Sequence, residues 1–185
     1  QAQVDSIIYQ CDFEDPTEYA KWEENAGNQG ASCANKWYFG KPGSNGGEAG
    51  LFVSKDGVSN NYEASALSVV AFRTLDFLKA GEYEFSFDWR AAGWQDSISN
   101  IDGLYVCWVP DSVKTNSLRG ATMPPFVEQY ALNFGRKSTK LSQSDWNTVV
   151  DTITTDGTPH KIVFVWRSGI NGTYPPAACI DNILV

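Results

Sequence analysis

The chain has 185 residues, 42% of them apolar and 19% charged, with 7 Trp, 8 Tyr and 10 Phe. This is large side-chain area enough for the core of one domain spanning 1–185, with no compositional sign of disorder. A formal charge of −8 and the lack of any Lys/Arg cluster argue against a nucleic-acid backbone or an anionic membrane surface as partner, and leave hard cations such as calcium as candidates.

Period-two alternation runs from end to end, and no stretch of about a dozen residues keeps a helical stripe. In chain order, strands are predicted over residues 6–14, 37–40, 50–54, 65–75, 81–90, 102–109, 129–134, 146–153, 160–167 and 179–185. The clearest is 81–90, where Tyr83, Phe85, Phe87 and Trp89 point one way and Glu82, Glu84, Ser86, Asp88 and Arg90 the other. One short helix is predicted over 16–24, with Asp15 as N-cap, Pro16 at its first position and Glu18 at its third. Turns rich in Gly, Asp, Asn and Pro separate the strands, and two longer irregular stretches, 27–36 and 110–128, are of the kind that carries binding function. The expected fold is all-β: an antiparallel two-sheet jelly-roll sandwich, concanavalin-like or galactose-binding-like, of nine or ten strands and one short helix.

No apolar run approaches the roughly 20 residues of a membrane span. The opening Gln1-Ala2-Gln3-Val4-Asp5 lacks a charged-then-apolar leader, so a mature, processed chain of a secreted or cell-surface protein is expected. The four cysteines, Cys11, Cys33, Cys107 and Cys179, show no C-x-x-C spacing, and the lone His160 offers no second imidazole for zinc. Disulfide pairing stays open; Cys107, in an apolar strand, also reads as a small core residue.

The segment Cys11-Asp12-Phe13-Glu14-Asp15, together with Ile180-Asp181-Asn182-Ile183, resembles the opening and closing strands of MAM-type domains. Inward, Trp22, Lys36-Trp37-Tyr38-Phe39-Gly40, Phe52-Val53-Ser54-Lys55-Asp56-Gly57, Gly81-Glu82-Tyr83-Glu84-Phe85-Ser86-Phe87-Asp88-Trp89-Arg90 and Tyr174-Pro175-Pro176-Ala177-Ala178 are similar to bacterial relatives of those domains. These are the cleaved-adhesin modules of gingipain-like proteins and the choice-of-anchor J domains. The resemblance implies an adhesive or glycan-binding jelly roll with a structural calcium ion where the first and last strands meet. Calcium takes 6–8 oxygens, and Asp12, Glu14, Asp15, Asp181 and Asn182 would come close if the terminal strands lie side by side. Asp56, Asn60 and Asn61, in the Asp-Gly turn, are expected to complete the cage as the matching turn does in the adhesin relatives. The bland reading is that these carboxylates solubilise an edge strand and cap a helix.

Trp89, Trp108 and Trp166 sit in strong strand patterns and are expected to pack between the sheets. Trp94 is different, because Gly93-Trp94-Gln95-Asp96-Ser97 is a polar loop that would leave its indole partly exposed. A ring stacked on sugar C–H faces beside amide and carboxylate groups is a common way to hold a glycan. Trp94, Gln95, Tyr130, Arg136 and Tyr174 are the predicted ligand-binding residues, with Phe126 nearby and a packed loop anchor as the alternative for Trp94. Asn171-Gly172-Thr173 fits the glycosylation acceptor pattern but reads as a turn.

A catalytic triad would have to use His160, which has no nucleophile elbow to work with. Of the paired carboxylates, Glu84 and Asp88 lie roughly 13 Å apart along a strand, beyond the about 6.5–9.5 Å of inverting glycosidases. Glu82 and Glu84, roughly 7 Å apart, remain geometrically possible, although Lys79 and Arg90 nearby suggest a solvated charge ladder. The expected function is therefore a non-catalytic extracellular adhesin-like or carbohydrate-binding module, monomeric, whose partner is a glycan or a host or cell-surface protein. A structural spacer in a larger surface protein and a glycoside hydrolase are the alternatives.

Overall fold

Alternating and continuous apolar strands fold into two facing antiparallel sheets in the computed structural model, which describes residues 6–24, 34–96, 101–115 and 123–185. The strands are β1 (Gln10–Cys11), β2 (Trp22–Glu24), β3 (Lys36–Gly40), β4 (Gly50–Ser54), β5 (Ser68–Leu75), β6 (Gly81–Ala91), β7 (Gly103–Pro110), β8 (Gln143–Thr155), β9 (His160–Arg167) and β10 (Cys179–Leu184). The first sheet runs β3-β4-β10-β6-β8, with β1 also paired to β10; the second runs β2-β5-β9-β7. This is the jelly-roll sandwich expected from the alternation.

Phe85, Phe87, Trp89 and Ala91 of β6 turn into the space between the sheets, where they meet Phe164 and Trp166 of β9 and Leu104 and Val106 of β7. Trp89 and Trp166 are fully buried and Trp108 nearly so, as their strand positions require. A second apolar cluster lies on the far side of the second sheet. There Val70, Phe72, Cys107, Val109, Val163 and Val165 are covered by Phe126 and Val127 of a short helix, α1 (Pro125–Tyr130). Cys107 is thus a buried free thiol in an apolar cluster, and Cys11 and Cys179 are also free and buried.

The chain ends run side by side. Gln10 pairs with Leu184 and Cys11 with Ile183, and the amide of Val185 donates to the Tyr9 carbonyl at 2.9 Å. Strand β1 is shorter than predicted, since Phe13 adopts φ 60 and turns the backbone out of the ladder.

Two expectations, one of helix and one of strand, are corrected. Residues 16–24 form a 3₁₀ turn only over Pro16–Lys21, capped by Asp15 accepting from the Thr17 amide, after which Trp22 enters the core and pairs with Arg73 of β5. Residues 129–134, predicted as a strand, hold instead the end of α1 and a single bridge from Ala131 to Cys107. Pro125 pre-sets the helical φ, and burying Phe126 and Val127 together on the sheet outweighs the weak alternation downstream.

Candidate functional site

Beyond Ala91, where β6 ends, the chain continues as Ala92-Gly93-Trp94-Gln95 and is tied to the segment before β10. The Ala92 amide donates to the Pro176 carbonyl and the Gly93 amide to the Tyr174 carbonyl, both at 2.8 Å. Gly93 has φ 84, and a Cβ there would stand 2.7 Å from Cβ of Asp102, so no side chain fits. Asp102, 2% exposed, is the hub of this end of the sandwich. Its carboxylate accepts from the Trp94 amide at 2.9 Å, the Gly169 amide at 2.6 Å and the Tyr62 hydroxyl. Burial and the Asp102 carboxylate both push the Tyr62 phenol well above its ordinary value, which keeps it a donor. The Tyr62 oxygen in turn accepts from the amides of Trp94 and Tyr174, each at 3.0 Å. One buried carboxylate and one phenol therefore hold the 94 and 174 loops in place.

On this support sits a pocket of about 290 Å³ lined by Ala92, Gly93, Trp94, Gln95, Ser142, Gln143, Ser144 and Tyr174. The Trp94 indole is half-buried and packed so closely on Gly172 that a Cβ there would come within 2.8 Å of the ring; its Nε1 donates to Asp96 at 2.7 Å. Gln95 is pinned at both ends of its amide, donating to the Asp102 carbonyl and accepting from Lys140 Nζ, both at 2.8 Å. Tyr174 is 57% exposed. Fixed aromatic faces beside amide and hydroxyl groups are the chemistry that recognises polyols. Three of the five predicted ligand-binding residues, Trp94, Gln95 and Tyr174, come together here.

Tyr130 and Arg136 do not line this pocket. Tyr130 ends α1 against the apolar cluster outside the second sheet, and Arg136 lies with its guanidinium 5.3 Å from the Trp89 ring centre. As polar aromatic or cationic residues expected near loops they fit a binding surface by type, but α1 carries Tyr130 to the outer side of the second sheet. Sequence reasoning also missed Ser142–Ser144, which carry no signature, and Trp146. Strand parity marks Trp146: Val149 and Ile153 of β8 face the core, so an even-numbered residue faces out. Opposite it the Arg90 guanidinium lies 5.2 Å from the Trp146 ring centre, on the same outer face of the first sheet.

The predicted metal ligands separate into two groups. Glu14 and Asp181 approach through the 41–49 loop: Glu14 accepts from the amides of Glu48 and Ala49 at 2.9 and 3.1 Å, and Asp181 from the Asn45 amide at 2.7 Å. Asp181 pairs with Asp88 across β6 and β10. Burial first, then the charges of Glu14 and Asp88, push the Asp181 carboxyl up to about 6. Asp12 instead caps the Glu14 amide at 3.1 Å, and Asp15 caps the 3₁₀ turn. Asp56 folds its own turn, accepting from Ser54 Oγ and the Val58 amide at 2.8 Å, and Asn60 bonds Cys179 Sγ and Arg90 at 2.9 and 3.2 Å. Asn182 donates its side-chain amide to Asp88 at 2.8 Å, so its nitrogen faces the carboxylates. Among the described residues, no three His, Cys, Asp or Glu side chains stand together as a metal cage.

No family model matches the chain, and a search of curated proteins finds no match. Solved structures do match in fold. The chain is similar to the CBM22-1 xylan-binding domain of Xyn10C from Paenibacillus barcinonensis, with TM-score 0.53 and 11% identity, covering 100% of this chain and 96% of that one. It is also similar to the CBM22-1–GH10 modules of the endo-1,4-β-D-xylanase Xyn10B of Clostridium thermocellum, solved with xylohexaose, with TM-score 0.54 and 14% identity, covering 98% of this chain and 28% of that one. A third match is a family 22 xylan-binding domain formerly called x6b, with TM-score 0.50 and 12% identity over 96% and 92% of the two chains. At these identities the likeness is one of fold: the chain is a β-sandwich of the kind these binding modules use.

Proposed function

We propose that this chain is a non-catalytic carbohydrate-binding module that holds a glycan at the Trp94–Tyr174 pocket, in a secreted or cell-surface protein. The observation that carries the reading is the convergence of three sequence-distant segments, 92–95, 142–144 and Tyr174, into one pocket where Asp102 holds the Trp94 backbone and the Gln95 side-chain amide from below. The shared fold with domains described as xylan-binding supports it. Hydrolysis needs two carboxyl groups across the scissile bond. None of the residues lining the pocket carries one; Glu82 and Glu84 are exposed toward the opposite end of β6, across from Thr154 and Thr152.

Calorimetry against a panel of soluble plant and microbial polysaccharides tests the proposal. At least one is expected to bind, with Trp94→Ala weakening it about tenfold or more through loss of ring stacking. A chain that binds none of them is a spacer or a protein-binding adhesin, and the reading falls.

The proposal includes calcium at the seam of β1 and β10. Glu14 and Asp181 would supply carboxylate oxygens and backbone carbonyls the rest, a hard-oxygen donor set that suits the ion. Asp12, Asp56 and Asn60 have no part in it, being committed to a cap, a turn and the Arg90 side chain. The melting temperature is expected to rise with calcium and to return with EDTA.

A further inference from the structure

Near the pocket stands a cation that has no counter-ion among the described residues. Arg90, on the face of β6 opposite Trp89 and Ala91, lies two residues before Ala92, which belongs to the pocket wall. The Arg90 guanidinium is spread over Trp146 and is half-buried. Its Nη2 donates to the Pro42 carbonyl at 3.4 Å and to Asn60 Oδ1 at 3.2 Å, the guanidinium also bonds the neutral Cys179 thiol, and Nε is buried with no hydrogen-bond partner among the described residues. Among the described residues no carboxylate forms an ion pair with it. Its cross-strand neighbour Cys179 does not compensate, since burial pushes that thiol up to about 11 and it stays neutral near pH 7.

Arg73 shows how this chain satisfies an arginine that serves only structure. It is 8% exposed, and its Nε donates to Glu18 at 2.8 Å in an ion pair. With 22 acidic residues against 14 basic ones, a carboxylate for Arg90 was the easier arrangement to reach. A partly desolvated guanidinium without an anion is unfavourable, and a bound anion offsets that cost. The guanidinium lies against an indole, and among the described residues no carboxylate meets it. A carboxylate can accept a charge-assisted N–H···O bond from such a guanidinium. Lys140, whose Nζ donates to Gln95 of the pocket wall, adds a second positive charge.

We propose that the glycan bound at this site carries uronic acid residues, with the Arg90 guanidinium taking a uronate carboxylate while the Trp94–Tyr174 pocket takes the adjoining sugar ring. The inference rests on the carbohydrate-binding reading and narrows it to acidic polysaccharides.

The test uses the full chain and three acidic polysaccharides, polygalacturonate, glucuronoxylan and alginate, each beside its carboxyl-reduced form, with a sulfated galactan as a further probe. At least one acidic polysaccharide is expected to bind about tenfold or more tightly than its reduced form, as a charge-assisted contact would give. That advantage should shrink as salt rises, vanish in Arg90→Gln and survive only in part in Arg90→Lys, which keeps the charge and loses the planar guanidinium seated on Trp146. Equal binding of acidic and reduced forms, or preference for a neutral polysaccharide, overturns the inference and leaves the glycan reading intact. Binding of the sulfated galactan as tight as that of the best uronate overturns the carboxylate assignment. If wild-type protein binds nothing, both readings fall together. The native-against-reduced comparison needs no variant, so it decides the matter even if Arg90→Gln does not fold.

Discussion

The two outer faces of the sandwich are finished in opposite ways. On the second sheet, strands β5, β7 and β9 are apolar on both sides, and α1 seals the outer side with Phe126 and Val127. On the first sheet, β6 alternates, and its outer side carries Glu82, Glu84, Ser86, Asp88 and Arg90 under loops that leave it accessible. A strand buried on both faces reads as a continuous apolar run, and one with an open face reads with period two. The period therefore marks which face is available for a ligand, before any motif is recognised. The pocket and Arg90 lie on the alternating sheet.

The sharpest way to break this contrast is to remove the support beneath the open end. Asp102→Ala strands the Tyr62 hydroxyl and the amides of Trp94 and Gly169 in a buried place. A loss of about 4 kcal/mol in urea unfolding is expected, together with loss of glycan binding. Retained binding would mean that the loops keep their shape without their hub. Phe126→Ala attacks the sealed face instead. It should cost about 3 kcal/mol as a cavity under α1, yet leave the binding isotherm of the folded protein unchanged, because the whole second sheet separates it from the pocket. A shift in affinity there would show that the two faces are coupled.

The parity of β6 and the burial of Trp89, Trp108 and Trp166 were legible because each follows from local alternation, whereas the pairing of the chain ends was implied by the resemblance to MAM-type domains and by no local pattern. The helix α1 was not, since a six-residue element with Phe126, Val127 and Tyr130 on its apolar side offers less than two turns of period to read. Within the site, Trp94, Gln95 and Tyr174 stood out as polar-loop aromatics and their neighbours. Asp102 did not, because its partners Gly169 and Tyr62 lie 67 and 40 residues away and only the folded topology brings them to it. Among the predicted metal ligands, Glu14 and Asp181 came close because strand pairing joins them. Asp12 and Asp56 were lost to short-range bonds with their own backbone, which a side chain two residues from a free amide makes readily.

The smallest expected effect concerns that seam. Asp181 has its folded pKa raised to about 6, above its ordinary value of 3.8, so between these limits the folded state holds a proton that the unfolded chain has released. Stability should therefore fall as pH rises from about 4 to about 6 and level off above it, by about 1 kcal/mol once solvent screening at the exposed Glu14 is allowed for. Glu14→Gln keeps the Oε1 atom that accepts from Glu48 and Ala49 but removes one of the two repelling charges. Without calcium the variant should be slightly more stable than wild type at pH 7 and its slope between pH 4 and 6 shallower. With calcium the order should reverse, since the ion gains from the carboxylate that the apo protein is strained by. Urea melts of both proteins at pH 4, 5, 6 and 7, with calcium and with EDTA, measure both effects. A variant that stays ahead in calcium would make the seam a hydrogen-bonded carboxylate cluster and nothing more.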